Sequence, residues 1–233
     1  LLYLVPQQRS MNMPITIYKL DLCPPSRAFL MMAELLKLDY QSQTLNCIAG
    51  ETKHPDFIEK NPQHTIPLLE DGNLVLADSH AIIIYVVSKY GGEKQEELYP
   101  NDLALRAIIN HRLFLDATEL FMPCRSIIRG ILFQQSTGPS EEQIADAYEA
   151  YNVLEGYLKK SKFIACDHLT IADVSCVATI SSLEMLVPID KKYVKLNEWL
   201  SRLKNEEWYQ KANVPGLTLL KEHLEITVKK NQG

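Results

Sequence analysis

The sequence predicts an α/β domain followed by an all-helical one (α/β plus all-α), and three observations carry that prediction. Over residues 14–77 short β-rich runs alternate with helical stretches. From Asp102 onward only helical periodicity is found. Between the two lie Gly91-Gly92 and the polar, proline-containing stretch 93–101, a helix stop followed by a linker. A chain of 233 residues is expected to form one large or two modest domains. With 46% hydrophobic and 23% charged residues, its composition is ordinary for a globular protein and excludes collagen-like and disordered classes. The longest apolar run, Ala81–Val87, is too short to span a bilayer. A net charge of −5 gives no electrostatic reason for a nucleic-acid or anionic-membrane partner.

Taken in order, residues 1–12 are expected to be a leader segment. Leu1–Val5 is apolar but lacks the basic flank and cleavage site of a secretory signal, so the start is expected at Met11 or Met13. Within the α/β domain, 13–92, Ile15–Tyr18 reads as a strand. A helix opens at Pro24-Pro25, where missing N–H groups cost no intrahelical bond, and runs to about Leu36. Tyr40–Leu45 is a second strand. Pro67–Glu70 and Leu74–Ala77 form a hairpin around Asp71-Gly72-Asn73. Ser79 then caps an apolar helix ending near Tyr90. In the helical domain, 102–233, helices are expected over about 102–135, 140–160, 170–186 and 191–204, with a short turn at 206–212. Pro123 deletes the bond to the Glu119 carbonyl and should kink the first of these. Thr170 and Asp173 have capping-box spacing, flanked by Leu169 and Val174 as a hydrophobic staple.

The five cysteines are odd in number and scattered, with no CxxC pair, and no Asn-x-Ser/Thr sequon occurs. This usage favours a reducing compartment and leaves a disulfide framework unsupported. The six histidines lack paired ligand spacing, so no metal is assigned.

Three strings carry the chemistry. In Asp21-Leu22-Cys23-Pro24-Pro25-Ser26-Arg27, Cys23 falls at a helix N-terminus, where the dipole favours a thiolate, its own or a ligand's. The alternative is a small buried cysteine at a tight turn. In Asn61-Pro62-Gln63-His64-Thr65-Ile66-Pro67, the last residue is a candidate cis proline, which leaves the Ile66 backbone free to pair with an extended peptide. In Asp78-Ser79-His80-Ala81-Ile82, Ser79 at a helix start can bind a carboxylate and Asp78 an ammonium. The alternative for Ser79 is a plain cap, and His80 reads as a packed residue. Together the strings describe a receptor for a small peptide carrying a thiol, a carboxylate and an amine.

With these strings, and with Leu98-Tyr99-Pro100 and Leu169-Thr170-Ile171-Ala172-Asp173, the chain from Met13 to about Lys221 resembles the cytosolic glutathione transferases, most closely the arthropod delta/epsilon classes. The resemblance implies a thioredoxin-like N-terminal domain and a helical-bundle C-terminal domain. It also implies glutathione as cosubstrate, a homodimer and a cytoplasmic location. Ile66 and a cis Pro67 would meet the cysteinyl unit, Asp78 and Ser79 the γ-glutamyl end, and His64 with Thr65 the glycyl end. Thr52 stands where the family often has a glutathione-contacting histidine; Lys53 or His54 would supply the charge.

Cys23 stands where delta/epsilon enzymes carry the serine that hydrogen-bonds the glutathione sulfur, and a thiol is a weaker donor. Leu22 and a face comprising Phe121, Cys124, Arg125, Ile128 and Leu132 would line the pocket for a hydrophobic electrophile; the four nonpolar members of that face share helical spacing. The expected activity is conjugation of the glutathione thiolate to such electrophiles. The alternatives are glutathione-dependent thiol–disulfide exchange through Cys23, or a non-catalytic carrier of apolar ligands.

Overall fold

The computed structural model describes residues 14–233; the leader expected over 1–12 lies outside them. Strand β1 (Ile15–Lys19) leads into helix α1 (Pro24–Leu36), which crosses over to β2 (Tyr40–Thr44). β1 and β2 are parallel, in register from Ile15 opposite Tyr40 to Lys19 opposite Thr44. A short helix, α2 (Pro55–Lys60), precedes the antiparallel pair β3 (Leu68–Asp71) and β4 (Leu74–Ala77). The sheet order is β2-β1-β3-β4. As an inner strand β1 is covered on both faces, which is why Ile15, Ile17 and Tyr18 are all buried. Tyr18 packs edge-on against Phe57 and donates its hydroxyl proton to Glu70 at 3.1 Å, a packing role.

The expected boundaries shift in small ways. β1 extends to Lys19, β2 stops at Thr44, and Pro67 stays outside β3. Helix α2, unanticipated from the sequence, is only six residues long and therefore shows no usable periodicity. In α3 (Ser79–Tyr90) the cap is Asp78, not Ser79. The Asp78 carboxylate accepts from the N–H groups of His80 at 2.9 Å and Ala81 at 3.2 Å, and Ser79 is the first helical residue.

The stretch expected as a linker carries a one-turn helix, α4 (Gln95–Leu98), and buries Leu98 and Tyr99 in the core. Beyond it come α5 (Leu103–Leu115) and α6 (Phe121–Phe133), joined by a π-helical turn over 116–120. The interruption expected at Pro123 thus falls just before it. The wider turn separates the proline ring from the backbone it would otherwise strike. Then follow α7 (Glu141–Leu158), α8 (Ile171–Leu186), α9 (Val194–Lys204), α10 (Glu207–Ala212) and α11 (Val214–Asn231). Helix α11 was not anticipated; its Pro215 lies in the first turn, where proline is compatible with a helix.

Helix α8 is buried from Ile171 to Leu183 and forms the axis of the helical half. At its start Asp173 accepts from the Thr170 N–H and hydroxyl, the Ile164 N–H and the Trp199 indole. Burial pushes this carboxyl up, against those hydrogen bonds. Helix α1 joins the halves, burying Ala28, Phe29, Met31 and Met32 and packing on α3, α8 and α10. Arg27 is fully buried at this junction. It donates to the Leu22 carbonyl and Asn213 at 2.8 Å each, to the Ala178 carbonyl at 3.3 Å, and to the Ser182 hydroxyl. Burial lowers its pKa to about 10, so it remains charged at neutral pH. A buried donor with this many acceptors is costly to lose, because each partner would be left unsatisfied.

Candidate active site

Two loops leave the C-terminal ends of the adjacent parallel strands β1 and β2. The first ends at Cys23, whose N–H donates to the Leu20 carbonyl at 2.9 Å and whose carbonyl accepts from Arg27 N–H at 3.1 Å. Its extended backbone (φ −79°, ψ 125°) and the two prolines after it start α1 as the sequence reading expected. The second loop carries Cys47. The side chain of Asn46 shapes it, accepting from the N–H groups of Ile48 and Ala49 at 3.1 Å each. The two sulfurs lie 3.9 Å apart.

That contact decides between the two thiolates the helix start could favour, Cys23's own or a ligand's. The hydrogen bond with Cys47, reinforced by burial, raises Cys23 well above the usual thiol range despite the Arg27 charge. The same hydrogen bond, aided by the backbone N–H groups of Cys47 and Ile48, lowers Cys47 to about 7. Cys23 is held protonated, as a donor. Exchange initiated by Cys23 loses its support while Cys47 is a free thiol.

On the facing side, buried Asn61 organises the approach to β3. It donates to the Thr65 carbonyl at 2.9 Å and to its hydroxyl at 3.2 Å, and accepts from Gln63 N–H at 3.1 Å. His64 has a left-handed backbone (φ 45°), and the Ile66–Pro67 bond is cis, as expected. Next to it Asp78, also at positive φ (74°), turns the chain into α3. Such conformations cost on the order of 1–3 kcal/mol in a residue with a Cβ and persist only where neighbours enforce them.

His80, read as a packed residue, bridges two carboxylates: Asp78 at 3.2 Å and Asp116 in the π-helical turn at 3.1 Å. Burial alone would depress its pKa. The hydrogen bonds to Asp116 and Asp78 outweigh burial and push it up to about 10, giving an imidazolium at neutral pH. His80 in turn pulls the Asp78 carboxyl down. Ser175 donates to the same Asp116 oxygen at 2.5 Å, while Asp116 Oδ1 is buried with no hydrogen-bond partner among the described residues.

These parts enclose one cleft of about 840 Å³. Of the expected residues, Leu22, Cys23, Thr52, His64, Thr65, Ile66, Pro67, Asp78, Ser79, Phe121, Arg125, Ile128 and Leu132 line it. Cys124 does not: it is fully buried in the core, and burial pushes its thiol up to about 12. The cleft-facing stripe of α6 is 121, 125, 128 and 132, and Cys124 rolls off it toward the bundle. Of the two candidates to replace the family's histidine, Lys53 lines the cleft, while exposed His54 pairs with Asp56 at 3.6 Å. The sequence reading missed Cys47, Asp116, Ser175, Thr179, Arg129, Phe133 and Leu220, all of which line the cleft. Only Arg129 and Phe133 carried a signal, lying four residues beyond Arg125 and four beyond Arg129 on the same helix.

A four-stranded mixed sheet with a cis proline before its third strand, backed by a helical bundle, defines a two-domain protein of thioredoxin-like type with a peptide-sized cleft. Residues 13–88 match the sequence profile of the glutathione S-transferase N-terminal domain, and residues 121–207 that of the glutathione S-transferase C-terminal domain. Glutathione S-transferase 1 of Manduca sexta is 39% identical over 213 residues, covering 90% of this chain and 97% of the relative. An epsilon-class glutathione S-transferase of the housefly Musca domestica superposes with a TM-score of 0.87 at 38% identity, over 91% of this chain and 98% of that one. A glutathione transferase homologue of Drosophila mojavensis, solved with bound glutathione, gives 0.87 at 38% identity, over 92% and 97%. The chain belongs to the glutathione S-transferase family.

Proposed function

We propose that this protein is an epsilon-like glutathione transferase that adds the glutathione thiolate to hydrophobic electrophiles. The observation that carries this reading is the single cleft joining a thiol donor, an anion-binding helix start and an apolar wall. When glutathione binds, the Cys23 S–H turns from Cys47 to donate to the glutathione sulfur and holds it as thiolate. Once Cys23 donates to glutathione, Cys47 loses the hydrogen bond that lowers its pKa, so neither protein sulfur is held as an anion against the bound thiolate. The Ile66 backbone pairs with the cysteinyl unit. Lys53, His64 and Thr65 take the glycyl carboxylate, with Thr52 behind them. Ser79 at the start of α3 receives the γ-glutamyl carboxylate with the His80 imidazolium nearby, and Asp78 receives the ammonium. Leu22, Phe121, Ile128 and Leu132 take the electrophile, with Arg125 at its edge. Catalysis rests on positioning and on stabilising the thiolate.

Exposed Leu103 and Phe114, which share one face of α5, support a homodimer that covers this face. Five free cysteines accord with a reducing cytosol. Cys23→Ser restores a hydroxyl donor, and conjugation of a chromogenic electrophile should rise about tenfold, equivalent to about 1.4 kcal/mol at the transition state. An unchanged or lower rate, with glutathione binding retained by calorimetry, removes Cys23 from the sulfur position. Absence of binding heat with glutathione removes the reading altogether.

A further inference from the structure

We propose that Cys47 and Cys23 form a dithiol site that exchanges with glutathione disulfide, closing reversibly to a Cys23–Cys47 bridge that switches conjugation off. The inference rests on the glutathione reading of the cleft and adds a modification to it.

The topology brings the two thiols together. Both loops leave adjacent parallel strands, tied at their ends by Leu45 N–H donating to the Lys19 carbonyl at 2.9 Å. The sulfurs, 3.9 Å apart, need to approach by about 2 Å to reach bonding distance. One side is held rigidly, since Pro24, Ser26 and Arg27 after Cys23 are all buried. The other side can yield: β2 is an edge strand exposed along most of its length, and beyond Leu45, which packs against the Tyr18 and Phe57 cluster, the 46–50 loop is held by its own turns. Both sulfur-bearing residues are partly exposed and line the cleft, so a small disulfide can reach them. Cys124 and Cys176 are buried, and Cys166 instead sits 3.4 Å from His168.

The roles divide by acidity. Cys47, the more acidic thiol, attacks; Cys23, protonated and fixed, resolves. The Cys47 thiolate attacks one sulfur of glutathione disulfide, forming a Cys47–glutathione mixed disulfide and expelling one glutathione thiolate, which takes a proton from water. Cys23 gives its proton to solvent and attacks the Cys47 sulfur. The Cys23–Cys47 bond forms and the second glutathione leaves. Two protein thiols are oxidised, one disulfide is reduced to two glutathione thiols, and no other oxidant is needed. Excess glutathione runs the sequence backward. The bridge consumes the Cys23 S–H that the bound tripeptide's sulfur requires, so conjugation stops.

The reduced full chain is treated with glutathione disulfide and, in parallel, with hydroxyethyl disulfide, which lacks the tripeptide. Thiols are counted, non-reduced digests are mapped by mass spectrometry, and conjugation is measured before treatment, after it and after dithiothreitol. The expected result is loss of two thiols per chain, one cross-linked peptide pair containing Cys23 and Cys47, and loss of conjugation fully restored by dithiothreitol. Cys23→Ser should halt at glutathione attached to Cys47, and Cys47→Ser should give no cross-link. The proposal is overturned if the wild-type protein keeps both thiols, or carries glutathione without a cross-link. If the reduced protein fails to conjugate yet hydroxyethyl disulfide still cross-links the pair, the transferase reading fails and the dithiol stands. Conjugation without a cross-link from either disulfide defeats the dithiol alone.

Discussion

The His80 imidazolium makes a testable demand on stability. Its pKa rises from 6.5 to about 10 because Asp116 and Asp78 grip the ring from both sides, and its side chain is only 17% exposed. A pKa raised on folding stabilises the folded state fully below the unfolded value, and the benefit fades as pH climbs through the folded one. The rise corresponds to about 5 kcal/mol below pH 6.5, of which about 4 kcal/mol remains at pH 7 and about 2 kcal/mol at pH 8.5. Replacing His80 alone would strand the Asp116 carboxylate, costing roughly 3–5 kcal/mol and confounding the measurement. The double variant His80→Gln/Asp116→Asn removes both charges and keeps the side chains polar. Urea unfolding at pH 7 and pH 8.5, at one fixed protein concentration, gives stability from midpoint and slope. The stability difference between wild type and double variant should shrink by about 2 kcal/mol over that interval. Titrations of Cys23 and Cys47, common to both proteins, cancel in this comparison. Parallel pH dependence of wild type and variant would refute the argument that His80 is charged in the folded protein.

Two further substitutions probe how the frame positions the cleft. A Cβ on Gly216 would overlap the Asp21 carbonyl oxygen and sit 2.7 Å from Arg27 Cδ, so Gly216→Ala must displace the turn that leads into Cys23. It should cost about 1–3 kcal/mol and lower kcat/KM; an unchanged melting temperature and unchanged kinetics would show that the start of α11 does not press on that turn. Lys37 closes α1 at φ 53°, a conformation that favours glycine. Lys37→Gly should therefore stabilise by about 1 kcal/mol, raising the melting temperature by about 2–4 °C without altering activity, and a lower melting temperature would contradict this.

Local chemistry explains which features were readable in advance. Pro24-Pro25 announces the start of α1 because a helix N-terminus tolerates missing N–H groups, and the Asp71-Gly72-Asn73 turn announces its hairpin because glycine supplies the positive φ. The same reasoning misjudged Asp78 and Ser79. Which of two adjacent capping residues closes the helix depends on a positive φ at Asp78 that only its surroundings enforce. It also missed α11, whose first turn carries both residue types that ordinarily end helices. Cys124 shows the limit of periodicity: spacing places a residue near a face, but a small rotation of α6 decides between cleft and core.

By itself, then, the sequence determined the two-part architecture, the three strings that meet at the cleft and the family to which they belong. Each is written in turns, caps and spacings over a few residues, where backbone geometry leaves little choice. Only tertiary structure decided that Cys23 faces Cys47, 24 positions away, and that His80 is clamped by Asp116, 36 positions away. Those encounters set which thiol is acidic and where a histidine keeps its proton. Proton affinity depends on burial and on neighbouring charges, and both come from elements that meet only once the chain has folded.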